Sequence, residues 1–463
     1  MLFNELTFTP FFLVVFLLCY ITNRFNQLKL RNTLLLIASY YFYAYFSVTF
    51  LITLVGVTLI NYLASVMLFK QKRKWVVSSV VFLSLLPLIG YKYTSFLLEH
   101  ILMIHHAEWG HWVMPVGISF FTFQALTYTI DIYRDKITER NSLLDYALFV
   151  SFFPTILSGP IARARYLLPQ LSAKTNMNHA GLTSGFQLFL WGLFKKIVIA
   201  DRMNVYTGSV FSTPDFYTGN TNLLAIALYS IQLYCDFSGY SDMAIGVARM
   251  LGFKIRANFL FPFFSTSLRS FWRKWHISLT SWFTEYLYIA CGGSRVSKWR
   301  WYFNLALVFI VSGIWHGAAW TYIVWGVLHA ALYLIEVITK QGQVEPKTKI
   351  EATMRGLLIF ILWAITLTVF RAETLTDAWT MLAHVLSPWG ILYTGASLMS
   401  FTLLLCGTLL FVVAEVLVYR NKIAIVEDYS NPYSTMNLTF MVLAVLAISL
   451  LGQSGAQFVY FKF

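Results

Sequence analysis

Charge is the scarcest property of this sequence. Only 12% of its 463 residues are Asp, Glu, Lys or Arg, while 58% are hydrophobic, and the mean hydropathy is +0.65. A soluble chain of this length needs more charge than this on its surface, so a water-soluble protein is excluded. Acidic residues are fewer still, 20 against 34 basic ones, leaving a net charge of +14. No long basic run sits on a soluble domain, which argues against nucleic acid as a partner. Lys and Arg gathered in cytoplasmic loops account for the excess. The four cysteines, Cys19, Cys235, Cys291 and Cys406, are scattered without CxxC spacing. They support neither a disulfide framework nor a zinc site, and no metal is expected. No GxSxG elbow, Walker A loop, HExxH or GxGxxG occurs in the right context, so those chemistries are set aside. The first apolar run, Phe8 to Ile21, lacks a basic leader and a cleavage site and reads as a retained first helix.

Long apolar runs are what the chain has instead. Each is long enough to cross a hydrocarbon core of roughly 30 Å. They predict an all-α polytopic membrane protein, one integral domain over residues 1–463 in contact with membrane lipid. The stretch from Thr33 to Phe69 holds two helices with a tight turn near Ser47, and "KQKRK" closes it. Val76 to Leu98 is the next span, followed by the His-rich "EHILMIHHAEWGH", and then Pro115 to Ile132. Placing the N-terminus outside puts the basic clusters after the first, third and fifth runs in the cytoplasm and the His-rich loop outside. In a bacterium that means the inner membrane with a periplasmic N-terminus. Further spans are expected at 143–158, 182–200, 221–246, 301–316, 318–338, 355–371, 397–419 and 435–452.

Two stretches do not fit a simple span. "FFPTILSGPIARARYLLPQL" carries Pro154, Gly159, Pro160 and Pro169, which break helices. Broken backbone at membrane depth survives only where protein or a water-lined cavity buries it, so a re-entrant segment is expected. "STSLRSFWRKWHISLTSWFTEYLYIACGGSR" mixes Arg269, Arg273 and Lys274 with Trp272, Trp275 and Trp282. That pattern suits a helix lying in the interface plane, and "GGSR" stops it.

An ionisable residue within apolar sequence is costly and usually faces a cavity or a partner. His316, in "GIWHGAAW", has the small neighbours Gly313, Gly317, Ala318 and Ala319, and Trp315 beside it. Small residues let helices pack closely and also leave room for a ligand. The alternative is a neutral ring bonded to a backbone carbonyl. His276, in "FWRKWHISLTSW", lies beside Arg273 and Lys274, which should disfavour its imidazolium; it also reads as a solvent-facing residue. On one straight helix His329 would lie about 20 Å from His316 and on another face, which gives it a structural or supporting role. Asp236 and Asp242, six residues apart, would also point to different sides, each bonding Arg or backbone. Arg163 and Arg165 would hold an anionic donor or anchor a loop to lipid headgroups. A neutral imidazole in a dry, aromatic place meets the needs of general base chemistry on a hydroxyl.

Five stretches, in order over residues 115–334, carry a resemblance: "PVGISFFTFQALTYTIDIYR", "LSGPIARARYLLPQL", "YCDFSGYSDMAIGVARMLGF", "FWRKWHISLTSWFTEYLYI" and "SGIWHGAAWTYIVWGVLHA". With the "FVYFKF" ending, the chain resembles the bacterial branch of the membrane-bound O-acyltransferases (MBOAT). That branch includes alginate O-acetylases, peptidoglycan O-acetyltransferases and the membrane protein of teichoic acid D-alanylation. The resemblance implies about eleven spans around a central tunnel, with re-entrant and interfacial helices. It places the catalytic His on His316 and the second active-site position on His276. It further implies acetyl-CoA as the acyl donor, with no other cofactor, a polysaccharide acceptor, and a periplasmic SGNH-hydrolase-like partner that finishes the transfer.

The expected mechanism follows. Arg163, Arg165, Arg273 and Lys274 meet the donor's phosphates. His276 polarises or positions the acyl carbonyl, and His316 takes the proton of the attacking hydroxyl, with Trp272, Trp315, His329 and Asp236 in support. Transient acylation of His316 is the alternative route. D-alanyl transfer to a teichoic acid-type acceptor is the rival activity. A glycan transporter is the rival from another class, although no inverted repeat is visible and few polar residues would line a sugar-sized path.

Overall fold

The computed structural model describes residues 1–104, 113–420 and 433–453. The His-rich stretch 105–112 and the "FVYFKF" ending lie outside the described residues. Within them the chain is helical throughout, with eighteen α-helices and no strand. Six helices are long and apolar enough to cross a membrane: Val48–Lys70, Lys74–Ile101, His179–Ser212, Trp320–Thr339, Lys349–Arg371 and Leu398–Arg420. Phe8–Arg24 and Asn437–Leu451 are apolar and shorter. This is the all-α, multi-pass membrane protein that the composition predicts.

Local chemistry places the helix ends. The Ser47 side chain accepts from the Thr49 N–H, 3.2 Å away, and starts Val48–Lys70 directly after Leu28–Ala44. That is the tight turn expected near Ser47. The expected span at 143–158 is shorter than its apolar run: the helix Leu143–Ser151 has nine residues, about 13 Å of rise. Pro154, which lacks an N–H, and the crowded Gly159 turn the chain before Pro160. Any Cβ on Gly159 would sit 2.5 Å from the Pro154 carbonyl oxygen. The broken stretch is enclosed by protein, with Phe152, Phe153 and Leu157 all 0% exposed, as re-entrant backbone requires.

The Trp-rich segment departs from one interfacial helix. It forms two short helices, Leu268–Trp272 and Ile277–Phe283, separated at His276. His276 adopts φ 43° and ψ 51°, the left-handed region that a non-glycine residue rarely enters. Gly292 and Gly293, at φ 100° and 59°, then end the segment as "GGSR" predicts.

The chain divides into two compact units. The first gathers Met1–Gly192, Tyr240–Arg256 and the described part of Ile425–Val442; the second gathers Leu193–Gly239, the described part of Ala257–Ala424 and that of Leu443–Phe463. In the first, Arg31 is 1% exposed and donates to the carbonyls of Leu171 and Ala173, at 2.6 and 3.0 Å. In the second, the helices Lys298–His316 and Trp320–Thr339 form a hairpin with only Gly317, Ala318 and Ala319 between them. Gly313 and Gly326 let the two backbones touch. A Cβ on Gly326 would lie 2.6 Å from the Phe309 carbonyl oxygen and 3.3 Å from Gly313 Cα.

Candidate functional site

The hairpin brings polar side chains together deep in the second unit. His316 ends the first helix and is 6% exposed. Its ring meets Trp315, Trp325 and Phe370 edge-to-face at centroid distances of 4.8, 5.2 and 5.2 Å. His329, 1% exposed, packs against the same Trp325 at 4.7 Å. Those two distances together cap the His316–His329 separation at about half of what one straight helix would impose. The chain break after His316 folds the second helix back, so both rings flank one indole. The straight-helix separation does not apply because Gly317 to Ala319 are not helical, at the break between the expected spans 301–316 and 318–338.

His276 approaches from the segment between the two short helices and is 2% exposed. Phe237 meets its ring at 4.6 Å and Trp315 at 6.1 Å, so the Trp315 ring contacts both His276 and His316. Asn258 holds it from behind: its side-chain oxygen lies 3.2 Å from His276 Nδ1, 3.1 Å from the Ser278 N–H and 2.9 Å from Ser278 Oγ. Burial pushes the imidazole of His276 down to about 3 from 6.5. The ring is therefore neutral at working pH because it is desolvated, and not because Arg273 and Lys274 repel its charge.

Both histidines line one cavity of about 550 Å³, the size of a small-molecule site. Trp272, Trp275 and Phe309 give it aromatic walls, and Arg269, Arg273 and Glu336 add charge. Glu336 accepts from the backbone N–H groups of Leu268 and Arg269 at 2.6 and 3.0 Å, tying the second hairpin helix to the start of Leu268–Trp272. A cavity that presents two buried imidazoles among aromatic rings can bind a hydroxyl and take its proton.

The model of MBOAT, the membrane-bound O-acyltransferase family, matches residues 34–371. The chain belongs to that family. Among its curated relatives is a probable alginate O-acetylase AlgI of Pseudomonas aeruginosa, 38% identical over 395 residues, covering 82% of this chain and 74% of the relative. A peptidoglycan O-acetyltransferase of Helicobacter pylori is 35% identical and covers 77% of this chain and 74% of its own length. A teichoic acid D-alanyltransferase of Bacillus subtilis is 32% identical over a smaller share, 57% of this chain and 68% of the relative. This MBOAT chain is a multi-pass membrane O-acyltransferase.

The expected site residues divide on inspection. His276, His316, Trp272 and Arg273 line the cavity of this acyltransferase, and Trp315 links the two histidines. His329 packs behind Trp272, at a ring distance of 5.1 Å. Lys274 is not on the cavity wall, and Arg163 and Arg165 belong to the other unit. There Arg165 pairs with Asp131 at 3.4 Å and stands over the Tyr166 ring at 5.0 Å. Asp236 pairs with a lysine: the Lys196 ammonium sits 2.8 Å from it and 2.7 Å from Asp201, all three buried. Asp242 belongs to the first unit.

Sequence reasoning missed Arg269, Glu336, Trp325 and Asn258. Arg269 was visible as one of three cations in the Trp-rich segment. Nothing in the spacing marks Asn258, eighteen residues before His276, as its partner.

Proposed function

We propose that this acyltransferase moves an acetyl group from cytoplasmic acetyl-CoA towards hydroxyls of an extracytoplasmic glycan, an alginate-type polysaccharide or peptidoglycan. The observation that carries the reading is the pair of buried imidazoles, His276 and His316, on one aromatic-walled cavity. Arg269 and Arg273 on the cavity wall suit the phosphates of the donor. The hydroxyl oxygen attacks the thioester carbonyl carbon while His316 takes its proton. The C–S bond then breaks, and the His316 imidazolium returns the proton to the leaving thiolate, so an ester and a free thiol result. Exclusion of water protects the thioester meanwhile.

The relatives' printed activities support O-acetylation over D-alanylation, since the acetylases share more of the chain. The reading places the protein in the bacterial inner membrane with its N-terminus on the periplasmic side, and it includes a periplasmic SGNH-hydrolase-like partner that receives the acetyl group. Purified protein given labelled acetyl-CoA tests it. Wild type should release free CoA and pass label to an acceptor, and His316→Ala should lose at least about a hundredfold of that rate at normal membrane insertion. Full activity in His316→Ala would overturn the assignment. Label trapped on His316 without acceptor would select the acyl-His route instead of direct transfer.

A further inference from the structure

Asn258 ties down three consecutive residues around the second active-site histidine. Its backbone carbonyl accepts from the Ile277 N–H at 2.9 Å, and its side-chain oxygen contacts His276 Nδ1, the Ser278 N–H and Ser278 Oγ at 3.2, 3.1 and 2.9 Å. It is 1% exposed. A backbone N–H only donates, so the Asn258 atom that meets Ser278 is the amide oxygen and not the amide nitrogen. An amide oxygen only accepts. His276 Nδ1 therefore carries the hydrogen. Burial keeps the ring neutral, and a neutral imidazole has one N–H, so Nε2 carries a lone pair.

We infer that Asn258 is a positioning residue of the acyl transfer: it fixes the Nδ1–H tautomer of His276, so that this histidine accepts a hydrogen bond from the acceptor hydroxyl through Nε2. A bare Nε2 cannot donate to a carbonyl oxygen. This replaces the expected polarising role of His276 with one in which it orients the attacking hydroxyl for His316. The same clamp holds His276 in its left-handed backbone conformation, which is strained in a non-glycine residue and survives where its surroundings over-determine it.

The inference rests on the acyl-transfer reading for its function and on geometry alone for its tautomer, and the two fail separately. The tautomer is read from full-length wild-type protein in detergent, labelled with 15N-histidine, with the His276 signals assigned by their loss in His276→Gln. Nδ1 should be the protonated nitrogen; protonation at Nε2 overturns the proposal whatever any variant does. In Asn258→Leu the fixed tautomer should be lost. Its kcat for acetyl transfer per folded molecule should fall about 10- to 100-fold, the loss typical when an oriented histidine loses its outer partner, with KM for acetyl-CoA little changed. Asn258→Asp keeps the accepting oxygen and should restore both the Nδ1–H signal and most of kcat, despite its buried carboxylate. Wild-type kcat in folded Asn258→Leu overturns the positioning role. If Asn258→Leu does not fold, Asn258→Asp with a lost tautomer overturns it equally. A wild type that consumes no thioester would instead sink the acetyl-transfer reading and leave the tautomer assignment standing.

Discussion

Adding one methyl group at Gly326 should disable the site from behind. The residue sits where the hairpin helices cross, next to Trp325, whose indole packs against both His316 and His329. Its new Cβ would meet only backbone: the Phe309 oxygen at 2.6 Å, Ile310 Cα at 3.2 Å and Gly313 Cα at 3.3 Å. Ordinary contact begins at 3.4 Å, and backbone cannot swing aside as a flexible side chain does. The helices must therefore part by about 0.8 Å, an overpacking strain of roughly 1–3 kcal/mol. That shift moves His316, at the end of one helix, relative to Trp325 on the other. Displacements near 1 Å cost about a hundredfold in rate when reacting groups must be aligned. Gly326→Ala should thus lower thioester turnover by about two orders of magnitude, with a smaller fall in thermal stability, both measured on detergent-solubilised protein. Turnover equal to wild type would refute the claim that the close crossing sets the position of His316.

Two more outcomes follow from the second unit. Lys196 contacts both Asp201 and Asp236, so Lys196→Met removes the cation that two buried carboxyl groups share and should cost about 3–5 kcal/mol, seen as a lower unfolding temperature; an unchanged temperature would show the network to be dispensable. The neutral state of His276 ties stability to pH. Its value is about 3 in the fold against 6.5 unfolded, so below pH 6.5 the unfolded chain binds the proton and the folded chain does not. Stability is full above that pH and declines as the pH falls towards 3. The unfolding temperature should drop between about pH 7 and 5, less steeply in His276→Gln, and a rise on acidification would contradict the assignment.

The pairing of His276 with His316 came from the family resemblance, but the membrane class, the turn at Ser47, the buried break around Pro154 and the choice of His316 as a candidate were readable along the chain. Each rests on something local: a run of apolar residues, a capping hydroxyl, a proline without an N–H, an imidazole where hydrocarbon is expected. What no linear reading could reach was distance. A straight helix separates His316 from His329, yet three residues without helical geometry and two facing glycines fold both onto Trp325. Arg269 and Glu336, 67 residues apart in sequence, share the cavity with the histidines. The proton on His276 depends on Asn258 and Ser278, whose spacing carries no periodic signal. Hydropathy and propensity are properties of neighbours in sequence, whereas a hydrogen bond or a shared cavity is set by neighbours in space, and only the packed helices choose those.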